Sequence, residues 1–377
     1  MRIAIVAFSL RVAGGLSVGQ NVIAALRRVA DEHDYLLLMP AGVGYEELEQ
    51  PTRCTRHYYR RKFGDVGQAA FDQFVVPRLV RRFGAERVWS LGNFGLTRSS
   101  CPQAILYHQP HLLYDPAEQP RPVWRLNGKL RYVRWRLKRS LPATRLVFCQ
   151  THTAASRFRR MFGYQGTIGI MPNAVSRFAL PERTPETPPE LARLSGKFVL
   201  FCLTRYYRHK NLESLVELFE RHREALRDVV ILLTIRPDDH PQAARLLERI
   251  AAPPLAEHVI NVGPLAQSRL AAFFLHVDGL ILPTLLESFS GTYLEAMQFG
   301  CPILTSDMDF AREVCGDAAL YFDPWNVDSM KDAILRLKED ARLRRELVDR
   351  GRQRVQGMFR SWDDIVRDAM RALLALT

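Results

Sequence analysis

The chain has 377 residues, 47% of them hydrophobic, and a formal charge of +13. That length suits two domains with a core each, and no uncharged apolar run approaches the roughly 18 to 20 residues of a membrane-spanning helix. Its six scattered cysteines show no C-x-x-C spacing, which argues against a zinc module or disulfide scaffold and sets the expectation of a reducing, cytoplasmic compartment.

In chain order, "MRIAIVAFSLR" has an apolar run that stops at Arg11 without a cleavage site, so it reads as a first buried strand rather than a leader. Short Val/Ile/Leu-rich runs then alternate with helical-period segments, the pattern of parallel strands joined by crossover helices. The first half is predicted to hold strands at Ile3–Phe8, Tyr35–Met39, Val88–Leu91, Ala104–Tyr107, Leu146–Cys149 and Thr167–Met171. A Pro-rich, charged stretch at 181–196 reads as a linker. The second half is predicted to hold strands at Phe198–Thr204, Val229–Thr234, Val259–Val262, Gly279–Leu282, Ile303–Thr305 and Ala319–Phe322. The final segment has an expected N-cap at Ser361 and sets Ile365, Val366, Ala369, Met370, Leu373 and Leu374 on one helical face. The organisation expected is therefore a domain at 1–180, the linker, a domain at 197–358 and a C-terminal helix at 359–377.

The charge is unevenly spread. Residues 1–181 hold 27 Lys/Arg against 11 Asp/Glu, whereas 182–377 hold 26 against 29. Such a basic half should attract an anionic surface or ligand. Its most basic helix places Leu126, Leu130, Val133 and Leu137 on an apolar stripe, the mark of a crossover helix packed on a sheet. Arg125, Lys129, Arg131, Arg134, Arg136, Lys138 and Arg139, with Trp135 among them, form a candidate face for an anionic membrane or acceptor. The cluster "RHYYRRKFG" (56–64) could join it; no nucleic-acid module accompanies either cluster, and no nucleic acid is expected as a partner.

Two segments of the second half carry the chemistry. In "LTRYYRHKNLESLVELF", Arg205 follows a strand and Lys210 and Asn211 are expected to open the next helix. A strand end, two cations and a helix N-terminus suit a phosphate group, although solvated loop charges would look the same in this segment alone. In "LLESFSGTYLEAMQFG", Glu287 is expected in a loop and Glu295 on a helix. A glycosidase pair must stand about 5 to 9.5 Å apart, and eight residues of continuous helix span about 12 Å, so spacing does not decide whether they are an acid/base pair. The site also offers acceptors for sugar hydroxyls and the amides of Ser288 to Thr292 for an anion.

Taken together, Arg205-x4-Lys210-Asn211, Glu287-x7-Glu295, "FGCPILTSD" and "REVCGDAALYFDP" resemble the retaining glycosyltransferases of family 4. Gly14-Gly15, His108 and Asn173 also fall where that family has counterparts. The resemblance implies the GT-B fold: two Rossmann-like α/β domains facing each other across a cleft, with the C-terminal helix crossing back to the N-terminal domain. It implies that Arg205 and Lys210 hold the diphosphate of a nucleotide sugar, and that Asn211 belongs to the donor site. Glu287 and the loop Ser288, Phe289, Ser290, Gly291 and Thr292 would bind the donor, with Glu295 on the ribose. His108 would approach the sugar, and Gly14 and Gly15 would let backbone come near it. The family usually reads E-G-F-G-L-P where this chain has Glu287-Ser-Phe-Ser-Gly-Thr292, which leaves the sugar open.

The function so implied is transfer of a sugar, with retention, from a nucleoside-diphosphate sugar to a glycan or lipid-linked acceptor of bacterial surface polysaccharide. No metal or cofactor is expected. A catalytically inactive sugar-nucleotide-binding scaffold on the same fold is the alternative. Asp307-x-Asp309 matches a metal-binding pattern of another glycosyltransferase fold, but aspartates at a strand end are usually turn formers. Gly15-x-Ser17-x-Gly19 spells a hydrolase elbow, but six residues separate it from the strand, and Ser17 is expected instead as a helix N-cap.

Overall fold

The computed structural model describes residues 1–60, 64–118, 128–175, 185–358 and 360–377. It divides into two units, Met1–Asp115 with Leu126–Ala174 and Arg360–Thr377, and Pro116–Arg125 with Val175–Phe359.

The first unit is a seven-stranded parallel sheet among the described residues. Its strands are β1 (Arg2–Val6), β2 (Asp34–Pro40), β3 (Cys54–Tyr59), β4 (Arg87–Ser90), β5 (Gln103–Tyr107), β6 (Thr144–Cys149) and β7 (Thr167–Ile170), in the order β3-β2-β1-β4-β5-β6-β7. The run IAIV is apolar throughout because both faces of β1 are covered. Ile3 and Ile5 point into a core shared with Trp362, Val366 and Leu373 of the C-terminal helix Trp362–Leu374; Ala4 and Val6 point into another with Phe71, Val76 and Val80. That last helix starts at Ser361, whose hydroxyl accepts from the Asp364 amide at 3.2 Å, and its Asp363 accepts from Arg28 Nε of the helix Ala13–Val29 at 2.8 Å.

Strand β3 is one the sequence reading did not anticipate. CTRHYY is an edge strand, half exposed and carrying Arg56 and His57, so it lacks an apolar run; such charge on an edge discourages pairing with another chain. The N-terminal part of the cluster read as basic and aromatic is thus sheet, and Arg61 to Phe63 lie outside the described residues. With β3 counted, His108 follows the fifth strand of the unit, not the fourth.

The second unit is a six-stranded parallel sheet among the described residues. It comprises β8 (Phe198–Cys202), β9 (Val229–Leu233), β10 (Val259–Asn261), β11 (Gly279–Leu282), β12 (Ile303–Ser306) and β13 (Ala319–Phe322), ordered β10-β9-β8-β11-β12-β13. Within the stretch read as a linker, Pro189–Ala192 is a short helix with Leu191 buried and Glu190 paired to Arg269 at 2.8 Å. Both sheets are of the Rossmann type. Neighbouring strands on either side of β1, and of β8, are reached by opposite turns of the chain, which opens a crevice at the carboxyl ends of β1 and β4 and of β8 and β11.

The basic helix, Gly128–Ser140, differs from its reading at one position. Arg136 is buried, not on the exposed face: it pairs with Asp72 at 2.6 Å, donates to Thr97 Oγ1 at 2.7 Å and lies over Phe94. Asp72 comes from a π-helical turn, Phe71–Val75, whose extra residue per turn swings the carboxylate toward the helix. Lys129, Arg131, Trp135, Lys138 and Arg139 are exposed, Arg134 is half-buried, and Arg125 lies outside the described residues.

Candidate active site

The carboxyl ends of β8 and β11 gather most of the second-half residues singled out above. Strand β8 ends at Cys202, two residues earlier than its apolar run suggests, which frees Arg205 to stand in a loop. A 3-10 turn, Arg208–Lys210, then leads to Asn211 in the left-handed region at φ +56°, a conformation asparagine tolerates better than most residues, and the helix Glu213–His222 follows. Asn211 therefore does not open that helix. Its side-chain amide donates to the Pro324 carbonyl at 2.9 Å, which ties this turn to the segment after β13.

From β11 the chain runs through Glu287 to the helix Gly291–Gln298. The two loops are stitched by backbone: the Leu285 amide donates to the His209 carbonyl at 2.8 Å, and Thr284 Oγ1 donates to the same oxygen at 3.3 Å. This stitch brings Lys210 Nζ onto the Glu287 carboxylate as an ion pair, with only 15% and 13% of the two side chains exposed. Seventy-seven residues separate the partners in sequence.

Arg205 is held differently. Its Nε donates to Asp239 Oδ1 at 3.0 Å and its Nη2 donates to the same oxygen. Asp239, in the turn Pro237–Asp239 after β9, also accepts the Tyr206 and Arg236 amides at 3.2 Å each. Burial pushes this carboxyl up, but the bonds from Arg205 and the two amides outweigh it and hold the group below its usual range. Asp239 was not singled out from the sequence; "RPDDHP" directly after a buried strand was the available signal.

Glu295 lies within the helix Gly291–Gln298, where its carbonyl accepts the Phe299 amide at 3.0 Å and its carboxylate has no hydrogen-bond partner among the described residues. Burial raises its pKa to about 7. The helix is fixed by Tyr293 Oη on Thr305 Oγ1 at 2.7 Å, and Thr305 in turn donates to the Leu282 carbonyl of β11. Ser288, Phe289 and Ser290 are buried. Ser290 caps the helix without a side-chain bond, the first-turn amides of Gly291 and Thr292 lack intrahelical acceptors by geometry, and a Cβ on Gly291 would meet open space.

Asp307 forms a two-bond pair with Arg312, Nε at 2.6 Å and Nη2 at 2.8 Å, which holds its carboxyl below the usual range. Asp309 starts the helix Asp309–Cys315. No cluster of three or more His, Cys, Asp or Glu suited to a metal ion occurs among the described residues.

The first unit brings together a second group. Gly14 and Gly15 lie in the first turn of the helix Ala13–Val29, whose cap is Val12; Ser17 is therefore inside the helix and not its N-cap, and its carbonyl accepts from Asn21 Nδ2 at 2.8 Å. A Cβ on Gly15 would stand 3.9 Å from His108 Cε1, and one on Gly14 would have nothing within 4 Å. The His108 amide donates to Asn93 Oδ1 at 2.8 Å, and Asn93, after β4, takes φ +71° to present that oxygen. Burial lowers the His108 pKa to about 4, so the ring is neutral at physiological pH. Asn173 accepts from Gln150 Nε2 at 2.7 Å, a structural contact.

Residues 184–354 match the family described as glycosyl transferases group 1. The O-antigen chain mannosyltransferase B of Escherichia coli is 24% identical over 67% of this chain and 66% of its own. The chain spans between 34% and 66% of the length of the curated relatives it matches. Among solved structures, the sucrose-phosphate synthase of Thermosynechococcus elongatus superposes with a TM-score of 0.75 at 17% identity, covering 100% of both chains. HepE of Anabaena in complex with UDP-glucose gives 0.75 at 14%, also covering 100% of both. The chain has the GT-B fold, with two Rossmann-like units. Arg205, Lys210, Glu287 and Glu295 all fall in the glycosyl transferases group 1 region; Gly14, Gly15 and His108 fall outside it.

Proposed function

We propose that the protein is a glycosyltransferase that moves a sugar from a nucleoside-diphosphate sugar to a glycan or lipid-linked acceptor, with retention of configuration, in the synthesis of a bacterial surface polysaccharide. The observation that carries this reading is the meeting of Lys210 and Glu287 at the carboxyl ends of β8 and β11, with Arg205 held by Asp239 in the loop that also follows β8. A cation paired to a carboxylate at this point can exchange partners: the diphosphate takes the ammonium, and the freed carboxylate accepts sugar hydroxyls.

The chemistry follows from charge. Breaking the bond between the anomeric carbon and the phosphate oxygen creates an oxocarbenium-like centre and places growing negative charge on the leaving diphosphate. Arg205, Lys210 and the amides of Gly291 and Thr292 are the fixed positive partners for that charge. The acceptor hydroxyl attacks from the face the diphosphate leaves and passes its proton to the departing phosphate oxygen, so atoms balance without a protein nucleophile or a metal. Glu295 accepts the ribose hydroxyls. Support for a nucleotide-sugar donor comes from the solved HepE complex with UDP-glucose; support for surface polysaccharide comes from the O-antigen mannosyltransferase.

The protein works at the cytoplasmic face of a membrane in this reading, held by the exposed Lys129, Arg131, Lys138 and Arg139 with Trp135 among them. No helix among the described residues is long and apolar enough to cross a membrane. A thermal-shift panel of UDP, GDP, ADP and their sugars tests the donor, since a ligand specific for the native state raises its stability. Time-dependent release of the stabilising nucleotide with an acceptor extract is expected, and stabilisation without release would instead favour a binding scaffold. Activity that vanishes in EDTA would overturn the metal-free mechanism.

A further inference from the structure

We infer that Asp239 is a positioning residue for the donor's diphosphate, acting through Arg205. The inference rests on the donor reading above. An arginine side chain carries about 2 kcal/mol of rotamer entropy, so a guanidinium that is to meet a diphosphate at a fixed place gains from being held beforehand. Asp239 holds it by one edge: Oδ1 receives Nε at 3.0 Å and also Nη2, which leaves Nη1 and the second hydrogen of Nη2 for an anion. The guanidinium remains 37% exposed while the carboxylate behind it is 2% exposed. Asp239 is therefore screened from any ligand by the residue it holds.

The other carboxylate oxygen fixes the loops. Oδ2 accepts the amide of Tyr206, next to Arg205, and that of Arg236, after β9. One buried carboxylate thus ties the ends of two neighbouring strands and orients the cation between them. Lys210 is paired in the opposite manner, to a carboxylate as open as itself, 13% against 15% exposed. Glu287 can reach a ligand; Asp239 cannot. Of the two cations, Arg205 is preset by its partner and Lys210 must trade its partner for the donor.

The carboxylate's four N–H bonds need two acceptor oxygens, and an amide supplies one. Asp239→Asn must therefore set its NH2 against either the guanidinium or the two backbone amides. Nucleotide affinity is measured by titration calorimetry with UDP, GDP and ADP on the full chain, in wild type, D239N, R205A and the double variant, beside D238N as a neighbouring control. The expected result is about a tenfold weaker Kd in D239N, the loss typical of one charged hydrogen bond, and less than about a twofold further change when D239N is added to R205A. The KM for the donor should rise with the Kd. Should D239N fail to fold, Asp239→Glu keeps the charge and displaces it by one methylene, and a shortfall between wild type and R205A is expected. Affinity in D239N within about twofold of wild type, or an equal loss in the R205A background, overturns the inference. Wild type that binds none of the three nucleotides overturns the donor reading itself and Asp239's role with it, whereas binding by wild type with a silent D239N sinks the Asp239 role alone.

Discussion

The two units share one strand order around their first strands yet place their charge in opposite ways. Two arginines of the basic half are engaged by the protein itself: Arg11, after β1, donates to the carbonyls of Tyr59 and Ala41, and Arg136 pairs with buried Asp72. What its β1, β4 and β5 ends present is glycine, an asparagine and a neutral histidine. The near-neutral half does the reverse, setting Arg205, Lys210, Glu287 and Glu295 at the corresponding ends. Topology fixes where a ligand would sit; side chains fix which chemistry waits there. Net charge of a segment is no guide to the charge of its site.

Among the described residues each unit holds an ion pair largely shielded from water, Arg136–Asp72 in the first and Lys210–Glu287 in the second, and their removal sharpens the contrast. Arg136→Met leaves Asp72 unpaired in the first core and should cost about 3 to 5 kcal/mol of stability by urea unfolding. The Asp72 carboxyl is raised to about 6, burial outweighing Arg136. Protonation therefore favours the folded state: this group's stabilising contribution is present below the ordinary carboxylate pKa and lost as pH rises to about 6, so the defect should be larger at pH 7.5 than at pH 5. Equal loss at both would break the assignment.

Lys210→Met in the second unit should instead cost activity, about a thousandfold in kcat/KM, because it removes a partner of the leaving diphosphate. A drop of less than about tenfold would mean that the charged ends are not the donor site.

Smaller still is the effect expected at Glu295. Its pKa near 7 means that it changes charge near neutrality, and the ionised form is the better acceptor for ribose hydroxyls. Nucleotide affinity should strengthen about tenfold from pH 6 to pH 8 in wild type and stay flat in Glu295→Gln; a slope that persists in the variant would point to another group. The least change is expected from Lys138→Ser, about fivefold weaker retention on vesicles with anionic lipid at low salt, given roughly 1 kcal/mol per basic residue. No retention of wild type would remove the membrane from the proposal.

Much of the fold was legible because parallel strands buried on both faces must be written as continuous apolar runs, as in IAIV, VLFC and GLIL. β3 was not, since an edge strand satisfies half its surface with water and need not be apolar. In the candidate site, Arg205, Lys210, Glu287 and Glu295 were visible as residue types after strands. The conformation of Asn211 and the bond it makes were not, because a left-handed turn and a carbonyl 113 residues away decide them. Arg136 was misplaced for a similar reason: helical period put it outside, and a carboxylate from a π-helical turn drew it in.

By itself the sequence determined the alternation of strand and helix and the identity of the charged groups, because burial and backbone geometry act locally along the chain. Only the tertiary structure decided which charges meet. Lys210 finds Glu287 and Arg205 finds Asp239 across 77 and 34 residues, because the crossovers bring separate strand ends side by side, and pairing depends on distance in space.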